Sequence, residues 1–175
     1  WMANWASISQ PLVDRLRKNG LIIFLAVVGW STCSTCWFCM ILVTGATGFV
    51  GRRLIRRLIA DAHIQVRVLL HPGGDTRKLP HAVTVHAMVG SVTDVESLLA
   101  AMNGVHTVIH LVGTETRGRH ARLDEIDVAG AEAVVQAALA ARVGRIIYTS
   151  RLGADKASAF PVLRAKGRIE EIIRN

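Results

Sequence analysis

Three glycines spaced three residues apart, in the run Gly45-Ala-Thr-Gly-Phe-Val-Gly51, restrict the fold more than any other feature. An apolar run, Ile41 to Thr44, precedes them, and Phe49 to Ala62 follows with helical apolar spacing. In a strand–turn–helix unit the first glycine permits the turn, the second admits a pyrophosphate and the third lets helix and strand pack closely. The residues expected to hold a dinucleotide here are Thr44, Gly45, Thr47, Gly48, Phe49, Val50 and Gly51.

The rest of the chain from Met40 alternates between strand and helix patterns. Further strands are predicted at Ile64–Leu70, Val83–Val89, Thr107–Val112 and Arg145–Thr149. Further helices are predicted from the capping box Thr93-Asp94-Val95-Glu96 to Gly104, over Leu123–Ala141, and from Pro161 toward Asn175. This alternation predicts the α/β class, with a doubly wound parallel Rossmann sheet of strand order 3-2-1-4-5 over residues 40–175.

Residues 1–39 do not share this pattern. An apolar run, Leu21 to Trp30, follows three basic residues, and three interpretations stay open: an extension that is disordered or not native, a membrane anchor over Leu21 to Phe38, or a cleaved signal. The expected location is cytoplasmic, with membrane association as the alternative. Cys33, Cys36 and Cys39 lack an obvious fourth ligand nearby, so no metal site is predicted.

The formal charge of +8 does not by itself indicate nucleic-acid binding. Basic residues are spread along the chain with few aromatic side chains among them, so a nucleic-acid partner is not expected. The densest basic cluster, Arg52, Arg53, Arg56 and Arg57, is interpreted as the solvated face of one helix. His106 and His110 are interpreted as satisfied histidines at the end of a strand.

Cofactor choice is expected to depend on the end of the second strand, where an acidic residue would bind the ribose hydroxyls of NAD. His71 occupies that place. Since Arg52, Arg77 and Lys78 could pair with a 2′-phosphate, NADP(H) is favoured over NAD(H). The alternative, that Arg77 and Lys78 are only loop charges, stays open.

Four motifs in order carry a family resemblance: Thr44–Gly51, Val108-Ile-His-Leu-Val-Gly113, Val143-Gly-Arg-Ile-Ile-Tyr-Thr-Ser150 and the helix of Lys166. Over Met40 to Asn175 the chain resembles the atypical branch of the extended short-chain dehydrogenase/reductase superfamily, among NAD-dependent epimerase/dehydratase-like proteins. Within it, the chain is most similar to the group containing the NAD(P)H-binding accessory subunit of respiratory complex I.

The resemblance implies that Ser150 is the family's active-site serine and that Lys166 binds the nicotinamide ribose. The family's catalytic tyrosine position, four residues before the lysine, holds Val162, which has no proton to give. Tyr148 is the remaining phenol, and its action as a replacement acid stays open. The resemblance also places the following residues at the cofactor: Ser91, Leu111, Val112, Gly113 and Thr149. In the long helix, Asp127 stands where the family often has an asparagine.

The resemblance further implies that a C-terminal substrate-binding portion is missing, so a fragment of a longer protein is expected. The favoured function is an NAD(P)(H)-binding domain with a structural, sensing or complex-assembly role. Whether it is an enzyme is left open, since an active NADP-dependent oxidoreductase or epimerase with another proton donor is the alternative. A membrane-tethered interaction protein is a further alternative. The expected partners are the dinucleotide and either a larger complex or the missing C-terminal half.

Overall fold

The computed structural model describes residues 39–60, 64–75, 77, 79–80 and 82–175. Five parallel strands form one sheet of order β3-β2-β1-β4-β5, which confirms the predicted Rossmann topology. The strands are β1 (Cys39–Thr44), β2 (Ile64–Leu70), β3 (Val85–Val89), β4 (Thr107–His110) and β5 (Arg145–Tyr148). The α-helices are α1 (Phe49–Leu58), α2 (Val95–Met102), α3 (Ala129–Ala140) and α4 (Pro161–Arg174), and a 3-10 helix (Glu115–His120) and a π-helix (Leu123–Val128) lie between β4 and α3.

Helices cover both faces of the sheet because side chains along each strand alternate between them. In β1, Leu42 packs with α2 and α3, whereas Ile41 and Val43 pack with Ile55 of α1 on the opposite face. All four side chains are buried. A further apolar cluster joins the π-helix, α3, α4 and β5. Because the strands are parallel, their carboxyl ends lie along the same side of the sheet, between the two helical layers; this side is called the carboxyl edge.

A buried polar row crosses that edge. The strand register aligns Thr44 with His110 and His110 with Tyr148. Thr44 Oγ1 lies 2.8 Å from His110 Nδ1, and the rings of His110 and Tyr148 stack with centroids 5.9 Å apart. His110 Nε2 and the Tyr148 hydroxyl have no hydrogen-bond partner among the described residues. The expectation of a satisfied histidine thus holds for only one ring nitrogen of His110.

Several element boundaries differ from the prediction. β1 begins at Cys39, so one of the three cysteines belongs to the sheet rather than to the N-terminal extension. β3 begins at Val85, two residues later than predicted, and β4 ends at His110, two residues earlier. The N-cap of α2 is Asp94 rather than Thr93, because the Asp94 carboxylate accepts hydrogen bonds from the N–H groups of the first turn.

The helix predicted over Leu123–Ala141 begins with a π-helical segment, Leu123–Val128. The Ala129 N–H donates to the Asp124 carbonyl, five residues earlier, and so closes a wider ring than an α-helix has. This wider turn carries Asp127, which is buried. Apolar spacing in the sequence indicates a helix here but carries no signal for the extra residue in the turn.

The predictions for the N-terminal extension lie outside the described residues. These are the anchor over Leu21 to Phe38 and the absence of a metal site at Cys33 and Cys36. Within the part of the chain that the structure describes, no helix is long and apolar enough to cross a membrane.

Burial of His110 predicts a loss of stability in acid. Desolvation, followed by the positive charge of Lys166, lowers its pKa from 6.5 to about 4. As the pH falls, His110 therefore binds a proton in the unfolded chain at a higher pH than in the folded chain. The contribution of His110 to the free energy of unfolding is present above pH 6.5 and is lost as the pH falls toward about 4. We expect His110→Leu to remove about 3 kcal/mol of this pH dependence of the free energy of unfolding. Chemical denaturation across the window measures it.

The exposed His86 supplies a matched control for this prediction, since its ring reaches only Gln65, at 3.2 Å. His86→Gln is expected to keep the wild-type slope. If the free energy of unfolding of His110→Leu fell with acid as steeply as that of the wild type, the pH dependence would not come from His110.

Close packing at Gly51 predicts a second stability effect. A Cβ there would run into the Gly45 carbonyl oxygen and lie 2.8 Å from Ala46 Cα, and both are backbone atoms. Gly51→Ala should cost about 1–3 kcal/mol of unfolding free energy through overpacking. Gly48→Ala is the control, because its Cβ would lie 3.1 Å from the Gly45 oxygen and its φ of −69° suits any residue. If thermal denaturation showed equal losses of stability for Gly51→Ala and Gly48→Ala, contact between α1 and the glycine loop at Gly51 would not be the cause of the loss.

Candidate functional site

The glycine loop packs tightly against the end of β4. Gly45 has a φ of +74°, and a Cβ there would lie 2.7 Å from the Leu111 carbonyl carbon and 2.9 Å from the Val112 nitrogen. The loop backbone can approach this segment only because Gly45 lacks a side chain. Gly45, Leu111 and Val112, all predicted to bind the cofactor, are thereby brought together.

The N-terminus of α1 is open to an anion. Its N-cap, Gly48, offers no side-chain hydrogen bond, and its first turn contains no acidic residue. The N-terminus of α2, in contrast, is occupied by the Asp94 carboxylate and carries Glu96 in its first turn. Free N–H groups and the positive end of the helix dipole at an exposed glycine suit a phosphate group. The residues present therefore fit a dinucleotide pyrophosphate, as the glycine spacing predicted.

The residues predicted at the adenosine end line the ends of β2 and β3. His71 is exposed after β2, and its Nδ1 lies 2.7 Å from the Pro72 carbonyl oxygen. Ser91 follows β3, and its hydroxyl lies 2.9 Å from that of Thr93. Arg52 is half-buried in the first turn of α1. Lys78 lies outside the described residues.

Asp75 is a nearby carboxylate that the sequence analysis did not single out. Arg77 donates to it through its side chain at 2.9 Å and through its backbone N–H at 3.1 Å. This ion pair reduces the charge that Arg77 could offer to a 2′-phosphate. The signal available in the sequence was the i, i+2 spacing of Asp75 and Arg77 in a glycine-containing loop, which favours such a local contact.

Lys166 is the central group where the nicotinamide is predicted to bind, a region called here the nicotinamide end. The side chain extends from α4, is 8% exposed, and donates to the Thr149 carbonyl oxygen at 3.3 Å. Its Nζ lies 5.0 Å above the centroid of the Tyr148 ring. Burial lowers the pKa of Lys166, while the Glu115 and Asp127 carboxylates act in the opposite direction. The ammonium is therefore held between apolar surroundings and two acids.

Asp127 lies next to this ammonium. A Cβ on the exposed Gly113 would lie 3.8 Å from Asp127 Oδ2 and 3.9 Å from Lys166 Nζ, so Gly113 packs directly over both buried groups. The Asp127 carboxylate accepts the Thr114 N–H with both oxygens, at 2.9 and 3.0 Å. Burial raises the pKa of Asp127, although the Thr114 hydrogen bonds oppose that shift. This carboxylate fixes the segment after β4 against the π-helix.

Ser150 is buried, and its hydroxyl donates to Glu170 of α4. The other Glu170 oxygen accepts from Arg174 at 3.2 Å. Glu170 was not predicted at the site, since its side chain reaches Ser150 across two elements that are twenty residues apart. The hydroxyl expected to serve an active site thus fastens β5 to α4.

No phenol stands beside Lys166 at the position of the family tyrosine. Val162 is half-buried in the first turn of α4. Tyr148 lies on the same edge but is 3% exposed, and burial, assisted by the charges of Asp127 and Glu115, raises its pKa above the usual range. A phenol that acts as a proton donor needs an accessible and stabilised phenolate. The surroundings of Tyr148 disfavour both.

Comparison with curated proteins finds relatives that are much longer than this chain. The photosystem II assembly factor Ycf39 of Cyanophora paradoxa is 32% identical over 136 residues, which are 77% of this chain and 41% of that protein. Sterol demethylase protein B of Methylococcus capsulatus is 32% identical over 115 residues, 65% of this chain and 34% of that protein. The chain spans less than half the length of each.

Solved structures share the fold of this chain. A short-chain dehydrogenase/reductase superfamily protein from Agrobacterium tumefaciens, solved with bound NAD, superposes with a TM-score of 0.60 at 28% identity. The match covers 77% of this chain and 44% of that one. Residues 45–175 match the NAD(P)H-binding family, and this match begins at the first glycine of the loop and includes Lys166. The chain therefore belongs to the NAD(P)H-binding family and has the short-chain dehydrogenase and epimerase/dehydratase type of Rossmann fold.

Proposed function

We propose that this chain is a cofactor-binding module in which NAD(P)(H) serves a structural, sensing or assembly role rather than hydride transfer. The observation that carries the proposal is Val162, which stands four residues before the buried Lys166 and provides no proton. A bound nicotinamide would supply hydride chemistry, but reduction of a carbonyl also needs a proton donor.

The neighbouring groups support the same conclusion. The hydroxyl of Ser150 donates to Glu170 and is engaged between β5 and α4. Burial raises the pKa of Tyr148, which makes its phenol a weaker proton donor. The features that bind a dinucleotide are present, however: the open N-terminus of α1, the close approach at Gly45 and the ammonium of Lys166. These contacts support cofactor binding, whereas position 162 beside Lys166 offers no group for proton transfer.

The likeness to Ycf39, which is named as a photosystem II assembly factor, favours a role in assembly. We infer that the cofactor stabilises a surface for a larger complex. Membership in the group of the complex I accessory subunit, which is expected from the sequence, would imply the same role. Since the chain spans less than half of its relatives, partners of the whole protein belong to the proposal.

An active NADP-dependent oxidoreductase or epimerase is the rival. The likeness to Sterol demethylase protein B and to a short-chain dehydrogenase/reductase supports it. It requires a proton donor other than residue 162, from elsewhere in the chain or from the portion that the relatives have in addition. NADPH oxidation by a quinone or a nucleotide sugar, measured by absorbance, would favour the rival. The membrane-tethered alternative has its anchor outside the described residues.

We further propose that NADP(H) binds more tightly than NAD(H). His71 stands where an acidic residue would select NAD, and Arg52 lies at the start of α1, beside the glycine loop. Arg77 contributes less than the sequence suggested, because Asp75 already holds it.

A negative charge introduced at position 48 tests cofactor binding. Aspartate and asparagine can both cap α1 at this position, but only aspartate places a negative charge beside the pyrophosphate. In calorimetric titration of the full chain with NADPH, we expect Gly48→Asp to weaken binding at least about tenfold more than Gly48→Asn. If the folded wild-type chain binds neither NADPH nor NADH, the glycine loop is only a structural turn and the proposal fails.

Arg52 tests the cofactor preference. Arg52→Gln removes the charge that could pair with a 2′-phosphate, so NADPH affinity should fall about tenfold while NADH affinity stays unchanged. Arg77→Gln is the matched control and should have a smaller effect, because Asp75 already neutralises Arg77. An equal loss for both cofactors in Arg52→Gln would place Arg52 away from the 2′-phosphate.

A further inference from the structure

The solvent side of α1 carries an unusual concentration of positive charge. We call this surface the arginine face: Arg53, Arg56 and Arg57, with Phe49 and Val50 at its N-terminal end. At 100° per residue these five positions fall within about one third of the helix circumference. The buried residues of α1, Gly51 and Ile55, lie on the opposite side. All five side chains of the face are exposed.

Within the part of the chain that the structure describes, no acidic side chain forms an ion pair with this face. Helix α1 itself contains no aspartate or glutamate. The ion pairs of the described chain all lie between residues 75 and 174. Arg53 repels Arg56 and Arg57, three and four residues away, and like charges at these spacings destabilise a helix. The contact of Arg53 with Phe49 and the position of Arg56 and Arg57 in the last turn of α1 offset part of this repulsion, but all three arginine side chains remain exposed to a partner outside the chain.

The apolar end of the face narrows the choice of partner. Phe49 is 64% exposed and Val50 is 40% exposed. The Arg53 guanidinium lies 3.9 Å from the centroid of the Phe49 ring, so the ring is already covered on one side. Nucleic-acid bases need free aromatic faces to stack on, and an acidic peptide would pair with the arginines but would leave the apolar side chains of Phe49 and Val50 without a partner. A flat anionic surface with an apolar interior satisfies both the arginines and the two apolar side chains.

We propose that the arginine face docks α1 on the surface of an anionic lipid bilayer. The guanidinium groups lie among the lipid phosphates and carboxylates, and Phe49 and Val50 reach the boundary of the acyl chains. This peripheral contact does not depend on residues 1–38. The three arginines are not among the residues predicted to bind the dinucleotide, whereas Phe49 and Val50 belong to both sets, so the bilayer contact is tested on the chain without added cofactor.

Vesicle sedimentation of the full chain tests the proposal. Phosphatidylcholine vesicles containing phosphatidylserine should bind the protein, and raising the ionic strength from about 0.1 M to about 0.5 M should release it. Each arginine near such a surface is worth about fivefold in partition, so Arg53→Gln/Arg57→Gln should weaken binding about 25-fold. Far-ultraviolet circular dichroism and the midpoint of thermal denaturation should match those of the wild type for this double variant, which shows that it is folded whether or not NADPH binds.

Arg142→Asn/Arg164→Gln is the matched control, because it also removes two exposed arginines but away from α1. Asparagine suits the positive φ of 55° at Arg142. The control should weaken vesicle binding less than about threefold. Equal losses of vesicle binding in the two double variants would show that binding depends only on net charge, and this result would overturn the proposal.

Other outcomes also overturn it. Binding to pure phosphatidylcholine that Arg53→Gln/Arg57→Gln leaves unchanged would assign the membrane contact to another segment. Absence of vesicle binding together with salt-sensitive binding to a single-stranded RNA homopolymer, lost in Arg53→Gln/Arg57→Gln, would make the face a nucleic-acid site.

Discussion

The parallel register of β1, β4 and β5 positions most polar groups of the nicotinamide end. Because Thr44, His110 and Tyr148 are aligned, each strand ends with a polar side chain inside the core. The three chain segments that follow these residues therefore leave the sheet side by side. They are the glycine loop after Thr44, the Leu111–Thr114 segment after His110 and the loop that begins at Thr149. Lys166 contacts the row through the Tyr148 ring and the loop through the Thr149 carbonyl. A shift of one residue in any pairing would turn these side chains to the other face.

Local sequence patterns predicted the parts of the fold that depend on short-range chemistry. The glycine spacing located the β1–α1 turn, and the regular change of apolar period yielded the strand order. Boundaries were less predictable where tertiary contacts decide them. Leu111 and Val112 look like a continuation of β4, but the close approach of Gly45 to their backbone requires an irregular chain there. Cys39 is part of β1 because it pairs with Ile64, a contact that composition does not reveal.

Contacts between distant elements account for the site features that the sequence did not indicate. Glu170 reaches Ser150, Asp127 reaches Thr114, and neither spacing follows a helical or strand period. Family resemblance placed Ser150 and Lys166 at the end of β5 and on α4, and the structure puts both there. It could not indicate that the serine hydroxyl is occupied, since this depends on the rotamer of a glutamate one turn beyond the lysine. The missing tyrosine was visible in the sequence, whereas the burial that raises the pKa of Tyr148 required the three-dimensional arrangement.

The π-helix makes the nicotinamide end sensitive to chain length. Its extra residue within one turn sets the direction in which Asp127 leaves the helix relative to α3. Deleting Val128, the residue between Asp127 and α3, would restore ordinary α-helical spacing and rotate the preceding positions by about 100° against α3. The carboxylate would then leave the Thr114 N–H, and Lys166 would lose a neighbouring negative charge. A single deletion in this segment would thus alter the site more than most substitutions, although it removes no side chain that faces the cofactor.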